Sequence, residues 1–374
     1  MLVSRRNFLR TVGTGAVAGA VTQLPAVALP LFEPPRAQQP GGPIRLNSNE
    51  NAYGPSEKVL ASIRETATLS NRYPFPEYDR LIESIANHHH VKPEQVLLGC
   101  GSTEILRVAA VGLLGPGKKY VQASPTFETT GHYAELAGAE VVSVPLTRDF
   151  AHDLDAMLGR SDASTGLVYI CNPNNPTGSI TPRKDIEAFI GKLPRNTRVL
   201  IDEAYHHFVD SPGYTSFVER PLEDERVIVA RTFSKIYGMA GLRIGYAIAT
   251  PQIVKQLEPY ATDTNVNEIA ARAAVTALED TDTVRDFISR NARDRREFFI
   301  QAEARKLKPI PSQTNFVMMD VSQPAVKVIE HFRKHDVLIG RRFPPMDTCV
   351  RISFGKPDEM KEFWKVWDAV SRTS

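Results

Sequence analysis

Short apolar, β-rich runs at 96–99, 120–123, 141–144, 167–170, 198–202, 227–231 and 245–249 punctuate the middle of the chain. Most lack the alternation of a half-exposed strand, which is the pattern of strands covered on both faces. Helix-like segments lie between them, with starts at Ser102-Thr103-Glu104, at Asp153-Leu154-Asp155, and at Thr181-Pro182 with Asp185 close behind. Strand and helix in alternation predict an α/β fold around a mostly parallel sheet of seven strands.

After Pro251 the rhythm changes. Helical patterns run from about 267 to 307, with the charged stretch from Arg290 to Lys308 as the wet face of a long helix. Short strands follow near 315–319, 337–339 and 349–352, and a closing helix starts near Asp358. A smaller α+β domain is expected there. The chain divides into 1–28, a signal segment; 29–70, an N-terminal arm; 71–255, a large domain; and 256–374, a small one.

The first segment has its own pattern. A basic cluster, Arg5-Arg6 to Arg10, precedes a weakly apolar run at 11–21, and Ala26-Val27-Ala28 offers a small-x-small cleavage site. That order is a secretory signal, and the paired arginines resemble the twin-arginine export pattern. The run is broken by Gly13, Gly15 and Gly19 and is too short to span a bilayer comfortably. The mature chain is expected in the periplasm or outside the cell, without stable membrane insertion. The twin-arginine route carries folded proteins, so a cofactor can be loaded before export. The stretch 29–43, rich in Pro, Gly and Gln, reads as a flexible lead-in.

Composition mainly excludes. The 374 residues are enough for a large core, and a formal net charge of +2 implies no field for nucleic acid. Cys100, Cys171 and Cys349 are too few and scattered for a disulfide framework or zinc cluster. His88-His89-His90 reads as a solvated helix end, and no metal site is expected. His206-His207, after Tyr205, could edge a site or simply pack.

Chemistry gathers at the ends of the apolar runs. Phe233-Ser234-Lys235 follows 227–231 and leads into Gly238-Met239-Ala240-Gly241-Leu242-Arg243. Lysine is rarely buried, and desolvation there would lower its pKa and make it an imine former. Ser234 and Arg243 could both reach a phosphate. Asp202-Glu203-Ala204-Tyr205 ends another run, which aims a carboxylate into the crevice where α/β sheets bind ligands. Asn175, in Asn174-Asn175-Pro176-Thr177-Gly178, follows a third run and falls at the same edge. Gly99-Cys100-Gly101 before Ser102 is a glycine turn at a helix start, a ready phosphate cradle but a common motif.

With these stand Leu46-Asn47-Ser48-Asn49-Glu50-Asn51-Ala52-Tyr53-Gly54-Pro55, Asn71-Arg72-Tyr73-Pro74, Pro125-Thr126-Phe127 and Val350-Arg351-Ile352-Ser353. Together the motifs resemble the fold-type I pyridoxal-phosphate (PLP) enzymes, and within them the histidinol-phosphate aminotransferase family. The resemblance implies that Lys235 forms the imine with the cofactor and later moves the substrate α-proton. It implies that Asp202 pairs with the pyridinium nitrogen and that Asn175 and Tyr205 hydrogen-bond the ring's phenolic oxygen. Phe127 would stack on the ring, where many relatives carry tyrosine. Ser102, Thr103, Ser234 and Arg243 would hold the phosphate. Tyr73 would reach the phosphate of a neighbouring subunit's cofactor, which makes a homodimer. Arg351 would take the substrate α-carboxylate, with Asn51 and Tyr53 also at the substrate. Relatives often carry an acid or amide where Thr103 stands.

The expected activity is aminotransfer between an L-amino acid and a 2-oxo acid. Export argues against the namesake substrate, because histidine synthesis uses cytoplasmic phosphate esters. A PLP-dependent lyase, by β-elimination or decarboxylation, is the alternative, and a non-catalytic PLP-binding protein a more distant one.

Overall fold

The computed structural model describes residues 42–219 and 224–370. The paired arginines, the apolar run and the cleavage site of the export signal lie outside the described residues, as does 29–41 of the lead-in. No helix among the described residues is long and apolar enough to cross a membrane.

In chain order the strands are β1 (Ile44–Leu46), β2 (Val96–Gly99), β3 (Lys119–Ser124), β4 (Glu140–Pro145), β5 (Thr165–Cys171) and β6 (Arg198–Asp202). There follow β7 (Val227–Thr232), β8 (Gly245–Ile248), β9 (Lys308–Pro309), β10 (Phe316–Asp320), β11 (Val337–Ile339) and β12 (Cys349–Ser353). The seven expected mid-chain runs form one sheet, in the order β2-β8-β7-β6-β5-β3-β4. Only β8 runs against its neighbours, β7 and β2; the remaining pairs are parallel.

The continuous apolar runs are explained by what covers them. Along β5, Val168 and Ile170 enter one core, while Leu167, Tyr169 and Cys171 enter the other, on the opposite face. The helices Phe75–His89, Leu154–Arg160 and Arg183–Lys192 cover the first face, and Ser102–Leu113 with Pro251–Leu257 cover the second. Both faces are dry, so neither can alternate with polar residues. Asp153 caps its helix as expected, its Oδ1 accepting the Ala156 N–H at 3.0 Å.

A second hydrophobic core lies around the antiparallel sheet β12-β10-β9. The helices Ala325–Lys334 and Pro357–Asp368 supply Val328, Phe332, Phe363 and Trp364 to it. Core membership redraws the expected division of the chain at two places. The helix Glu268–Glu279, beyond residue 256, packs Ala270, Ala274 and Leu278 into the core of the large sheet. The hand-over falls inside the helix Thr281–Ala304, where Phe287 joins the first core and Phe298 the second. The start of the arm is likewise no loose segment: β1 pairs in parallel with β11, and Leu46 is buried in the second core. The arm therefore leaves the second core at Leu46 and runs directly to the edge of the large sheet. The charged helix is also not wet throughout, for Arg295 is buried, donating to the Phe208 carbonyl and pairing with Asp210.

Candidate active site

Strand register places the chemistry. Cys171, Asp202 and Ala230 lie side by side on β5, β6 and β7. Asn175 therefore follows four residues past the end of β5, Asp202 closes β6, and Lys235 comes three residues past Thr232. All three sit at the carboxyl edge of the parallel strands, where open α/β sheets hold ligands.

Asp202 is buried. Its Oδ2 accepts the Tyr169 hydroxyl at 2.9 Å and its Oδ1 the Ala204 N–H at 3.1 Å. Burial pushes its pKa up to about 6, against the pull of those two hydrogen bonds and of Lys235. The Lys235 amine donates to the carbonyls of Asn49, at 3.1 Å, and Ser48, at 3.4 Å. Burial, helped by the charge of Arg351, brings it down to about 8. It also lies 5.5 Å from the Tyr205 ring centroid.

Arg351 stands on β12, in the second core's sheet, and reaches across to the first. Its Nη1 donates to Asn175 Oδ1 at 2.6 Å and its Nη2 to the Asn47 carbonyl at 3.0 Å, while its buried Nε has no partner. Burial lowers its pKa to about 10. With Oδ1 of Asn175 taken by the arginine, that amide's N–H₂ group is left to serve another acceptor.

The glycine turn before Ser102 is shaped by close packing. Gly101 caps the helix Ser102–Leu113 at φ +73°, and a Cβ there would collide with the Arg243 guanidinium. A Cβ on Gly245 would strike the Ser102 backbone nitrogen. The helix start, Arg243 and β8 are pressed together as only glycines allow. Arg243 Nη1 lies 3.4 Å from Ser234 Oγ and 3.0 Å from the Ala240 carbonyl. Ser102, Thr103, Ser234 and Arg243 thus converge on a helix N-terminus, where backbone N–H groups and the helix dipole favour an anion. Phe127 is half-buried beside the core of that face.

PLP fits this donor set. It needs an amine for its aldehyde, an anion cradle for its phosphate, a carboxylate for its ring nitrogen and donors for its phenolic oxygen, and each stands at one sheet edge. The unpartnered Arg351 Nε leaves a buried guanidinium beside it with capacity for one more acceptor.

Asn51 and Tyr53, expected at the substrate with Arg351, bond elsewhere in the chain, while Tyr73, expected to reach a neighbouring subunit, lies on the surface. Asn51 spends both ends of its amide on backbone, Nδ2 on the Ile236 carbonyl at 2.8 Å and Oδ1 on the Tyr53 N–H at 3.0 Å. Tyr53 points to the long helix, where its hydroxyl donates to Asp294 at 3.0 Å and Arg290 covers its ring; burial and Asp294 push its pKa up to about 12. Tyr73 is 73% exposed beside Phe75, which is 60% exposed. Of the three histidines expected at a solvated helix end, one differs. His89 turns inward, its Nε2 2.7 Å from the Tyr246 hydroxyl, while His88 and His90 are exposed. The rings of His206 and His207 lie tilted against each other, centroids 3.7 Å apart, and His207 meets Tyr237 edge-on.

Sequence reasoning gave no role to Asn49 or Tyr169. Tyr169 sits inside an apolar run, and nothing local separates a hydroxyl that serves Asp202 from a core ring. Asn49 lies in the segment 46–55, but only the fold shows what it touches.

Comparison with known proteins gives a coherent picture. The family model "Aminotransferase class I and II" matches residues 42–366. The histidinol-phosphate aminotransferase of Geobacillus thermodenitrificans is 36% identical over 317 residues, covering 84% of this chain and 87% of that protein. Among solved structures, a putative histidinol-phosphate aminotransferase from Erwinia carotovora atroseptica superposes with a TM-score of 0.84 at 35% identity, covering 87% of this chain and 94% of that one. The Sinorhizobium meliloti histidinol-phosphate aminotransferase in complex with pyridoxal-5'-phosphate gives 0.82 at 29%, covering 88% and 92%.

Proposed function

The chain belongs to the class I and II aminotransferases, PLP-dependent transaminases, and from that premise we propose that Lys235 carries the cofactor and moves the substrate α-proton. The observation that carries this reading is the Lys235 amine: half-buried, brought down to about 8, and flanked by Asp202 and Arg351 at one sheet edge. An amine so poised is about one-tenth unprotonated at pH 7, roughly hundreds of times more than an ordinary lysine, and can act as nucleophile and base.

Bound there, PLP supplies an electron-withdrawing ring that makes the substrate's Cα–H labile. The protein does the rest. Asp202, fixed by Tyr169 and the Ala204 N–H, holds a proton on the ring nitrogen. Tyr205 and the free N–H₂ of Asn175 donate to the ring's phenolic oxygen. Ser102, Thr103, Ser234 and Arg243 anchor the phosphate, and Phe127 covers a ring face. Arg351 binds the α-carboxylate, which fixes the direction in which the Cα–H is presented to Lys235.

The working unit is a homodimer in which exposed Tyr73 meets the partner's cofactor site; its 73% exposure in a single chain supports this. The protein is exported by the twin-arginine route to the periplasm or beyond, a reading supported by Arg5-Arg6 and the cleavage site at 26–28. Histidine synthesis is then not its role, and an ordinary amino acid is the donor.

The test is half-reaction spectroscopy of the holoprotein with each common amino acid and with histidinol phosphate. A transaminase loses its visible band as the amino group passes to the cofactor, and it releases no ammonia. Borohydride must label Lys235; a label elsewhere overturns the assignment. Ammonia release without an oxo-acid acceptor would show a lyase. Histidinol phosphate as the best donor would return the protein to histidine synthesis.

A further inference from the structure

We propose that Asn49 aims the Tyr205 hydroxyl at the cofactor's phenolic oxygen, as the middle member of a one-way hydrogen-bond chain that starts at Ser353. The proposal rests on the reading of Tyr205 given above. Asn49 is 1% exposed and sits at φ 54°, a left-handed conformation that asparagine accepts better than most residues.

Its orientation follows from its partners. The Asn49 backbone N–H donates to Ser353 Oγ at 2.8 Å, so the Ser353 proton is left to donate to Asn49 Oδ1, 3.2 Å away. That contact decides which end of the carboxamide is oxygen. The other end is then the N–H₂ group, and it donates to the Tyr205 hydroxyl at 3.0 Å. A phenol that receives a donor on its oxygen gives its own proton elsewhere, and it gives it more strongly. The chain thus has one direction: Ser353 to Asn49, Asn49 to Tyr205, Tyr205 to the acceptor in the site.

Rigidity supports the role. Asn315 Nδ2 donates to the Asn49 carbonyl at 3.1 Å, the same oxygen that receives the Lys235 amine at 3.1 Å. One buried residue therefore touches both the lysine and the tyrosine. Ser353 stands two residues beyond Arg351 on β12, so the two side chains share a sheet face. The strand that would take the substrate carboxylate also anchors the chain of donors.

A hydrogen bond into the phenolic oxygen stabilises its negative charge and lowers the proton affinity of the nitrogen that joins Lys235 to the ring. Asn49 is a positioning residue for that effect, and the readout is the pH midpoint of the bound cofactor's absorbance change. Asn49→Gly removes the amide without backbone strain at φ 54°. It should raise the midpoint by about half to one pH unit, a three- to tenfold change in proton affinity. Tyr205→Phe should raise it further, and Asn49→Gly should add almost nothing in that background. Asn49→Asp keeps the shape but accepts the tyrosine proton, so its rise should exceed that of Asn49→Gly and shrink in the Tyr205→Phe background. Ser353→Ala should move the midpoint the same way by less, and it serves if the Asn49 variants do not fold. Equal shifts with and without Tyr205, or none, would overturn the proposal while the reading of Tyr205 stands. If Tyr205→Phe itself leaves the midpoint unmoved, that reading fails and the proposal falls with it.

Discussion

Two buried arginines face opposite demands in this molecule. Arg231, on β7, is 3% exposed and complete. Its Nε and Nη2 meet Glu203 Oε2 at 2.9 and 2.8 Å, and its Nη2 meets Ser216 Oγ at 2.7 Å. Glu203 in turn accepts the Phe217 N–H and the Ser216 hydroxyl, which ties the 216–218 loop to the end of β6. Arg351, on β12, is 8% exposed and incomplete, with an amide, a carbonyl and an idle Nε where Arg231 has a carboxylate. Burial depresses its pKa, whereas at Arg231 burial is the largest single influence but is outweighed by Glu203 together with Tyr246, Tyr214 and Tyr237, which leave that pKa raised. A buried cation without its anion is a cost the fold carries for a ligand to relieve. The paired one ties two segments together, and the other is left without an acid, as the proposed role in binding a substrate carboxylate requires.

The sharpest way to break this contrast is Glu203→Gln. Leaving Arg231 unpaired should lower the unfolding free energy by about 3–5 kcal/mol, read by urea denaturation, with KM for the amino donor little changed. Arg351→Gln should do the reverse. It should cut kcat/KM about a hundredfold or more, since a buried charged contact is worth ~2–5 kcal/mol, yet leave stability equal or higher. A loss of stability there as large as at Glu203 would dissolve the distinction.

Lys235 is a second site cation held at a cost, and pH separates that cost from its chemistry. Its folded pKa, about 8, lies below the ordinary lysine value of 10.5. Between these values the unfolded chain binds the proton and the folded chain does not, so folding is favoured as pH rises through the window. Below about 8 both states are charged and the burial penalty is fully present. Lys235→Met should therefore raise the Tm of cofactor-stripped protein most below pH 8, with the gain fading toward pH 10.5. A gain independent of pH would mean that hydrophobic packing, not charge burial, is the cause. The smallest effect is expected at Ser216→Ala, which removes one shared hydroxyl from the complete pair. It should cost about 1 kcal/mol, with no change in the donor half-reaction.

Much of the site was legible because strand ends are local features. The runs ending at Asp202 and near Lys235 announce themselves by hydrophobicity followed at once by a polar residue, and register then sets them side by side. The glycine turn before Ser102 was equally plain, although its purpose, room for Arg243, is a contact between distant segments. Tyr53 and Asn51 were placed at the substrate by their motif, and the arm instead turns them to Asp294 and Ile236. No local pattern encodes that rotation. The helix 268–279 followed the change of rhythm after Pro251, but its alanine-rich face fits the large core, which only packing could decide.

By itself, the chain's pattern determined the α/β class, the seven strands of the main sheet and the chemical character of its carboxyl edge. These depend on residues close in sequence, through periodicity and burial. The tertiary structure alone decided which arginine has an acid and which does not, where the arm's side chains point, and that Asn49 joins Ser353 to Tyr205. Those contacts span 156 and 304 residues, and their energies depend on what burial leaves unpaired. That is a property of the packed whole, which no stretch of sequence carries alone.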